Sequence, residues 1–129
     1  MELVACSEDD FSDAELRTEA KGQQSEDVVV LRAADGGEEQ ALVILSLPTG
    51  MSEAELEKLY VPVALRGRGI ASRVLQCAED YCRTRERTLL TLWATPLDDD
   101  TKQDWLIGWY KRRGYVDAEA GYAELKKTL

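Results

Sequence analysis

The chain has 129 residues, a formal net charge of −9 and 44% hydrophobic residues. This length and composition predict one domain, residues 1–129, and exclude collagen, low-complexity polymers and wholesale disorder. The longest apolar run, residues 41–45, is too short to span a bilayer, and no basic segment precedes an apolar core at the N-terminus. We therefore expect a globular protein of the cytoplasm with no membrane partner.

The available side chains restrict the chemistry. The chain contains no histidine, which excludes the usual zinc sites and an imidazole-based triad, so no metal site is predicted. Three cysteines do not make a disulfide framework. We interpret Cys77 and Cys82 as core-facing thiols and Cys6 as a thiol near one end, in a protein of a reducing compartment.

Charge is spread unevenly along the chain. Residues 1–57 hold fifteen acidic and three basic side chains, whereas residues 58–129 hold ten acidic and thirteen basic ones. An acidic first half argues against non-specific nucleic-acid binding, which needs a basic face. A chain that is acidic at one end and basic at the other could bind a cation and an anion on different sides.

The order of apolar runs, turn residues and helical periodicities predicts an α/β (α+β) domain with a largely antiparallel start. The predicted strands are residues 2–6, 28–33, 40–47, 54–63, 88–94, 115–116 and 122–127, and the predicted helices are residues 12–21, 70–87 and 101–113. Ser12 is expected to cap the first helix. The run 98–100, Asp-Asp-Asp, is expected to cap the third helix. Residues 34–37, which include two glycines, form a hairpin turn.

The segment with the most chemical information joins the strand at 54–63 to the helix that begins at residue 70. It reads Arg66, Gly67, Arg68, Gly69. Amides at a helix start have no partners in the helix and bind phosphate oxygens, while glycine lets a ligand approach the backbone. The arginines add cationic donors, so the segment predicts a pyrophosphate cradle. No Lys-Ser or Lys-Thr follows the glycines, which excludes a Walker loop, and Ser72 stands where a dinucleotide fingerprint needs its third glycine.

Two motifs carry a family resemblance. Residues 66–71, Arg-Gly-Arg-Gly-Ile-Ala, match the pattern Gln/Arg-x-x-Gly-x-Gly/Ala, and residues 109–115, Trp-Tyr-Lys-Arg-Arg-Gly-Tyr, match an aromatic-Tyr-x-x-x-Gly-aromatic block. With these motifs in order, the sequence resembles the GNAT family of N-acetyltransferases over residues 54–116. The resemblance implies a mixed, mostly antiparallel central sheet flanked by helices, and acetyl-CoA as the acyl donor.

The region before the second strand is short for this family. About twenty residues separate the first two predicted strands, which leaves room for one modest helix where the family usually has two. That region normally walls the acceptor site. We therefore expect an acceptor site that is unusually open or is completed by a second subunit in a homodimer.

The resemblance also implies contacts to the acyl donor. Main-chain amides of the loop and helix start would bind the pyrophosphate, those of the preceding strand would pair with the pantetheine arm, and one side-chain amide would contact pantetheine or substrate. The pyrophosphate-binding residues would be Arg66, Gly67, Arg68, Gly69, Ile70, Ala71 and Ser72. Val61 and Val63 would pair with the pantetheine arm, and Gln103 would supply the side-chain amide. Pro62 has no N–H and is not a donor.

The catalytic residues follow from the same resemblance. Tyr110 matches the tyrosine that protonates the departing CoA thiolate, and a phenol with a pKa of about 10 holds its proton at neutral pH. Glu55 or Glu57, two apart on one strand face, is the expected base that takes the amine proton through water. Trp109 and Tyr115 are assigned to the core. These residues predict acetyl transfer to a primary amine. The acidic first half of the chain predicts that this amine is cationic. The alternative is a CoA-binding or interaction module without transfer.

Overall fold

The computed structural model describes residues 1–98, 101–119 and 121–129. The strands and helices found there are β1 (Glu2–Cys6), α1 (Ala14–Ala20), β2 (Val28–Asp35), β3 (Glu38–Ser46), β4 (Glu53–Tyr60), α2 (Ile70–Thr84), β5 (Leu89–Trp93), α3 (Gln103–Lys111), β6 (Val116–Asp117) and β7 (Glu124–Thr128). Short 3-10 turns occupy Glu8–Asp10 and Val63–Leu65. Between β1 and β2 the described residues hold a single α-helix, as the sequence predicted. None of the helices seen in these residues is long and apolar enough to cross a membrane.

The seven strands form one sheet in the order β1-β2-β3-β4-β5-β7-β6. Only the β4–β5 pair is parallel, and every other neighbouring pair of these strands is antiparallel. The mixed, mostly antiparallel sheet is therefore confirmed. Gly36 and Gly37, with φ of 60° and 87°, make a two-residue turn between β2 and β3. Positive φ at both turn positions suits the right-handed twist of the paired strands, and glycine adopts it without strain.

An apolar core lies on each face of the sheet. On one face α2 and α3 pack on the strands, and α2 contributes a buried stripe with helical spacing: Ile70, Val74, Leu75, Ala78 and Cys82. On the other face Phe11, Leu16 and Ala20 pack against β2 and β3. Cys82 is buried as expected, whereas Cys77 is only half-buried. The fold therefore separates α1 from the two later helices by the thickness of the sheet.

One carboxylate lies inside the larger core. Glu79 is 2% exposed, and it accepts hydrogen bonds from Tyr115 Oη at 2.8 Å and Lys127 Nζ at 3.0 Å. Two charge-assisted partners are what a buried carboxylate needs, because desolvation is otherwise costly. Burial and the charge of Glu79 together raise the pKa of the Tyr115 phenol. This cluster ties α2 to β7 and confirms Tyr115 as a core residue.

The first helix begins later than predicted, and a different residue caps it. Asp13 is the N-cap, and its side chain accepts a hydrogen bond from the Leu16 amide at 3.0 Å. Ser12 is not the cap, because it lies one residue before Asp13; the amides of both residues donate to the Glu39 carboxylate at 2.8 Å. A carboxylate is the stronger acceptor at a helix N-terminus, where it also meets the positive end of the helix dipole.

The other two helices are shorter than predicted. Helix α2 ends at Thr84 because Glu86 adopts a left-handed φ of 62°. For α3 the residue at the N-cap is Lys102, which makes no side-chain capping bond. Asp98 accepts from the Thr101 amide at 2.7 Å, before the helix begins. The remaining two predicted capping residues, Asp99 and Asp100, lie outside the described residues.

Strand β4 ends earlier than the predicted strand and contains a bulge. It stops at Tyr60, and Val63 lies in the following 3-10 turn instead of continuing the alternation. On the β3 side Ile44 pairs with Lys58 and Leu45 with Leu56, so Glu57 is the extra residue of a β-bulge. On the β5 side the pairing runs from Glu53 only to Leu56. Beyond that point β4 and β5 separate.

Candidate functional site

The separation of β4 and β5 opens a cavity of about 420 Å³. Its walls are the last residues of β4 and β5, the loop before α2, the first turn of α2, and one face of α3. Both sequence motifs, at 66–71 and at 109–115, contribute residues to this single cavity. The motifs are adjacent because α2 and α3 pack on the same face of the sheet.

The loop before α2 has the backbone shape of an anion cradle. Gly67 and Gly69 have φ of 79° and 74°, in the left-handed region that glycine adopts freely, and Gly69 is the N-cap of α2. The first amide of α2 that finds a carbonyl is that of Arg73, which donates to Gly69 O at 3.4 Å. The amides of Ile70, Ala71 and Ser72 come before it and have no carbonyl one turn back. All three residues line the cavity, so their amides are available to a ligand.

The two arginines of the loop are placed differently from the prediction. Arg66 lines the cavity, but its Nη1 lies 2.7 Å from Asp98 Oδ2 and its Nε donates to Val61 O at 2.9 Å. Its guanidinium also lies over the Tyr60 ring. Arg68 is exposed and is not among the cavity-lining residues. The charge of Arg66 is therefore paired, and Arg68 lies outside the cavity lining.

Val61 and Val63, which follow β4, differ in their position relative to the cavity. Val61 is 7% exposed and lines the cavity, and in the described residues nothing accepts from its amide. Val63 is 62% exposed, lies outside the cavity, and donates its amide to Glu15 Oε2 at 3.1 Å. Val61 therefore has an amide that is available at the cavity, whereas the amide of Val63 is already bonded elsewhere.

Helix α1 anchors the end of β4 from the opposite face of the sheet. Glu15 Oε2 accepts from Tyr60 Oη at 3.0 Å as well as from Val63, and Lys58 Nζ lies 3.1 Å from Glu19 Oε2. Burial, followed by the hydrogen bond to Glu15, raises the pKa of Tyr60. Sequence patterns gave no signal for these contacts, because the partners are at least 39 residues apart.

Tyr110, the predicted proton donor, is a buried residue at the wall of the cavity. It is 8% exposed, its ring meets those of Trp109 and Tyr115 edge-on at centroid distances of 5.0 Å and 5.4 Å, and it lines the cavity. No hydrogen bond to its hydroxyl is found within the described ranges. Burial raises the pKa of Tyr110 to about 12, because desolvation disfavours the phenolate. The side chain therefore keeps its proton at neutral pH.

The two candidate bases differ in their access to the cavity. Glu57, the bulge residue, is exposed and lines the cavity, whereas Glu55 is half-buried and lies outside the lining. The pKa of Glu55 is raised, first by burial and then by the negative charges of Glu57 and Glu124. The three carboxylates therefore form one acidic cluster beside the cavity, which we call the acidic cluster below.

Gln103 does not reach the cavity. Its Nε2 donates to Ala94 O at 3.1 Å, which ties the start of α3 to the end of β5. The expected contact of Gln103 with pantetheine or substrate stays a prediction.

Aromatic residues that the sequence analysis did not assign complete the cavity. Trp93 and Trp105 line it while 51% and 57% exposed, and Trp109, assigned to the core from sequence, also lines it. Arg113 lines it as well. The available sequence signal was the spacing of Trp105, Trp109 and Arg113, four residues apart, which places all three on one face of the helix predicted over 101–113.

No metal site accompanies the cavity in the residues that the structure describes, because no group of three or more Cys, Asp or Glu side chains could hold an ion there. An anion cradle, a buried phenol and a carboxylate around one cavity can together bind a phosphorylated thioester, donate a proton and accept one.

Comparisons with known proteins agree with this geometry. The structure superposes on the PaiA N-acetyltransferase from Thermoplasma acidophilum in complex with coenzyme A (TM-score 0.68, 13% identity, 99% of this chain and 98% of that chain). It also superposes on aminoglycoside 6'-acetyltransferase type Ii (TM-score 0.70, 18% identity, 99% and 97%) and on an aminoglycoside 6'-N-acetyltransferase complexed with coenzyme A (TM-score 0.70, 16% identity, 99% and 97%). At these identities the likeness concerns the fold.

Sequence comparison extends the agreement beyond the fold. No curated protein matches the chain. The family model described as acetyltransferase (GNAT) family matches residues 2–115, which include every element from β1 to α3 and both motifs around the cavity. The chain belongs to the acetyltransferase (GNAT) family.

Proposed function

We propose that the protein is an N-acetyltransferase that moves the acetyl group of acetyl-CoA to a primary amine. The observation that carries the proposal is that one cavity brings together the open amides of α2, the unbonded hydroxyl of Tyr110 and the carboxylate of Glu57. Membership of the GNAT family and the similarity to two structures that contain coenzyme A support the choice of donor.

The donor is held mainly by backbone groups. The pyrophosphate binds to the amides of Ile70, Ala71 and Ser72, where the positive end of α2 favours an anion. The pantetheine arm lies in the gap where β4 and β5 part, and there the amide of Val61 is a free donor. This arrangement directs the thioester towards Tyr110, which lines the same cavity.

The reaction needs proton transfers at both the amine and the leaving thiolate. An alkylamine has a pKa of about 10, so it arrives protonated and must lose a proton before it attacks. Glu57 faces the cavity, and Glu55 behind it has a raised pKa, which makes it a better proton acceptor than an ordinary glutamate; either takes the amine proton through water. The amine nitrogen then forms a bond to the acetyl carbon, the carbon–sulfur bond breaks, and the departing thiolate takes the proton of Tyr110. The nitrogen gives up its remaining extra proton to the Tyr110 phenolate, which leaves a neutral amide and restores the phenol.

The acceptor is a cationic primary amine. The acidic cluster of Glu55, Glu57 and Glu124 lies beside the cavity, and Trp93, which pairs with Glu124, exposes its indole at the rim. A field of one sign concentrates oppositely charged substrates, and an indole face adds cation–π attraction. Polyamines, aminoglycoside-like compounds and lysine or N-terminal amines all meet this description.

A panel of amines tests the proposal. We expect acetyl-CoA to raise the melting temperature of the protein. When a cationic primary amine is also present, we expect acetyl transfer to release the free thiol of CoA. The KM of this amine should rise with ionic strength because salt screens the acidic cluster, while the KM of a neutral arylamine stays constant. Donor binding without turnover on any amine would favour the CoA-binding module instead. A best acceptor that is neutral or anionic would contradict the charge argument.

The acid limb of the pH profile identifies the base. Only the ionised carboxylate accepts a proton. Because the pKa of Glu55 is raised, kcat/KM should start to fall with decreasing pH while the pH is still above 4.5, the ordinary pKa of a glutamate. In Glu124→Gln one of the charges that raise this pKa is gone, so the limb should move to lower pH. We expect Glu55→Gln to lower turnover and remove this limb. A limb that persists in Glu55→Gln but disappears in Glu57→Gln would assign the base to Glu57.

A further inference from the structure

The cations that line the cavity are not equally available to a ligand. Lys58 is paired with Glu19 at 3.1 Å and Arg66 with Asp98 at 2.7 Å. Arg73, just beyond the cradle, lies 3.4 Å from Asp35. Within residues 1–98, 101–119 and 121–129, Arg113 is the cavity-lining cation that has no carboxylate within ion-pair distance.

Arg113 is held in a fixed position beside the cradle. Its Nε and Nη2 donate to Ser72 Oγ at 2.9 Å and 2.6 Å, and its Nη1 donates to Trp109 O at 2.8 Å. The guanidinium stacks on the Trp109 indole, 3.8 Å from the ring centroid. Since a guanidinium has five N–H groups, two remain for a ligand. Ser72 belongs to the first turn of α2, so this charge lies next to the open amides.

We propose that Arg113 supplies the positive charge that binds the diphosphate of the acyl donor, the task that sequence analysis gave to Arg66 and Arg68. The inference rests on the proposed function. A planar guanidinium binds phosphate oxygens through two parallel bonds, and a stacked, pre-positioned one loses little entropy on doing so. The selectivity for a CoA thioester over a thioester without phosphate therefore depends on Arg113.

The test compares two donors, acetyl-CoA and S-acetylpantetheine, which has the thioester and pantetheine but no diphosphate. For Arg113→Gln we expect the KM for acetyl-CoA to rise about 10- to 100-fold, the range for a lost hydrogen bond to a charged group. The KM for S-acetylpantetheine and both kcat values should stay within about twofold. Arg113→Lys, which keeps the charge but not the planar fork, should give an intermediate KM for acetyl-CoA.

Controls separate binding from packing. Ser72→Ala removes the bonds from Arg113 to α2 but keeps the guanidinium charge, its bond to Trp109 O and the amide of residue 72, so it should lower the preference for acetyl-CoA less than Arg113→Gln does. Arg112→Gln removes an exposed neighbouring charge outside the cavity and should leave both donors unchanged.

Several results would overturn the inference. A KM that rises equally for both donors, or that stays constant for both, would show that Arg113 does not bind the diphosphate. An equal loss in Ser72→Ala would give Arg113 a packing role only. If Arg113→Gln does not fold, the same comparison with Arg113→Lys decides. Failure of the unmodified protein to bind acetyl-CoA would instead refute the proposed function.

Discussion

Replacing Gly69 by aspartate is expected to abolish binding of acetyl-CoA. Gly69 is the N-cap of α2 and lines the cavity beside the open amides, so a carboxylate there opposes the diphosphate and competes for the same N–H groups. We expect calorimetry to show a loss in CoA affinity of at least about 100-fold, the size of a lost charge-assisted contact plus repulsion. Unchanged affinity in a folded Gly69→Asp protein would refute the assignment of the cradle.

Backbone strain must be separated from this effect. The φ of Gly69 is 74°, and a Cβ built there meets nothing within 4 Å, so any side chain brings strain but no clash in the ligand-free protein. Gly50→Asp is a matched control, because Gly50 has a φ of 78°, equally open space and a position outside the cavity lining. Both variants should lose about 1–2 kcal/mol of stability. Only Gly69→Asp should lose affinity for CoA.

Tyr110→Phe is expected to lower kcat by about 100-fold or more, which is the usual contribution of a general acid. The KM and the dissociation constant for acetyl-CoA should change little, because the hydroxyl acts on the thiolate that forms during the reaction and the ring still fills its site. Thiol-release assays measure kcat and KM, and calorimetry measures the dissociation constant for acetyl-CoA. Equal kcat in the two proteins would return Tyr110 to a purely structural role.

The pH profile gives a second test of Tyr110. Burial raises its pKa to about 12, so the phenol stays protonated as the pH rises through the ordinary tyrosine value of 10. We therefore expect no loss of kcat between pH 8 and about 10 from deprotonation of this group. Tyr122→Phe is the matched control, since Tyr122 is exposed, bonds to Asp104 and does not line the cavity. Its kcat should equal that of the unmodified protein.

The sequence predicted the parts of this protein that depend on neighbours along the chain. The helix at α2, the Gly36–Gly37 turn and the order of helices and strands along the chain follow from local periodicity and turn chemistry, and the structure confirms them. The loop at 66–69 was recognisable for the same reason, because glycine conformation and helix-end amides are local properties. The placement of Tyr110 came from the motif around it, and its buried position at the cavity agrees with that placement.

Only the tertiary structure decided which charges and amides of the cradle are available. Asp98 neutralises Arg66 from 32 residues away, Glu15 takes the amide of Val63 from 48 residues away, and Arg113 reaches Ser72 from 41 residues away. The bulge at Glu57 and the parting of β4 from β5 are likewise products of strand pairing. Ion pairs and strand register depend on which elements the sheet brings together. Local sequence patterns do not specify which residues far apart in the chain come into contact. The sequence therefore determined that the protein has a cradle, and the packing of the elements determined which residues can serve it.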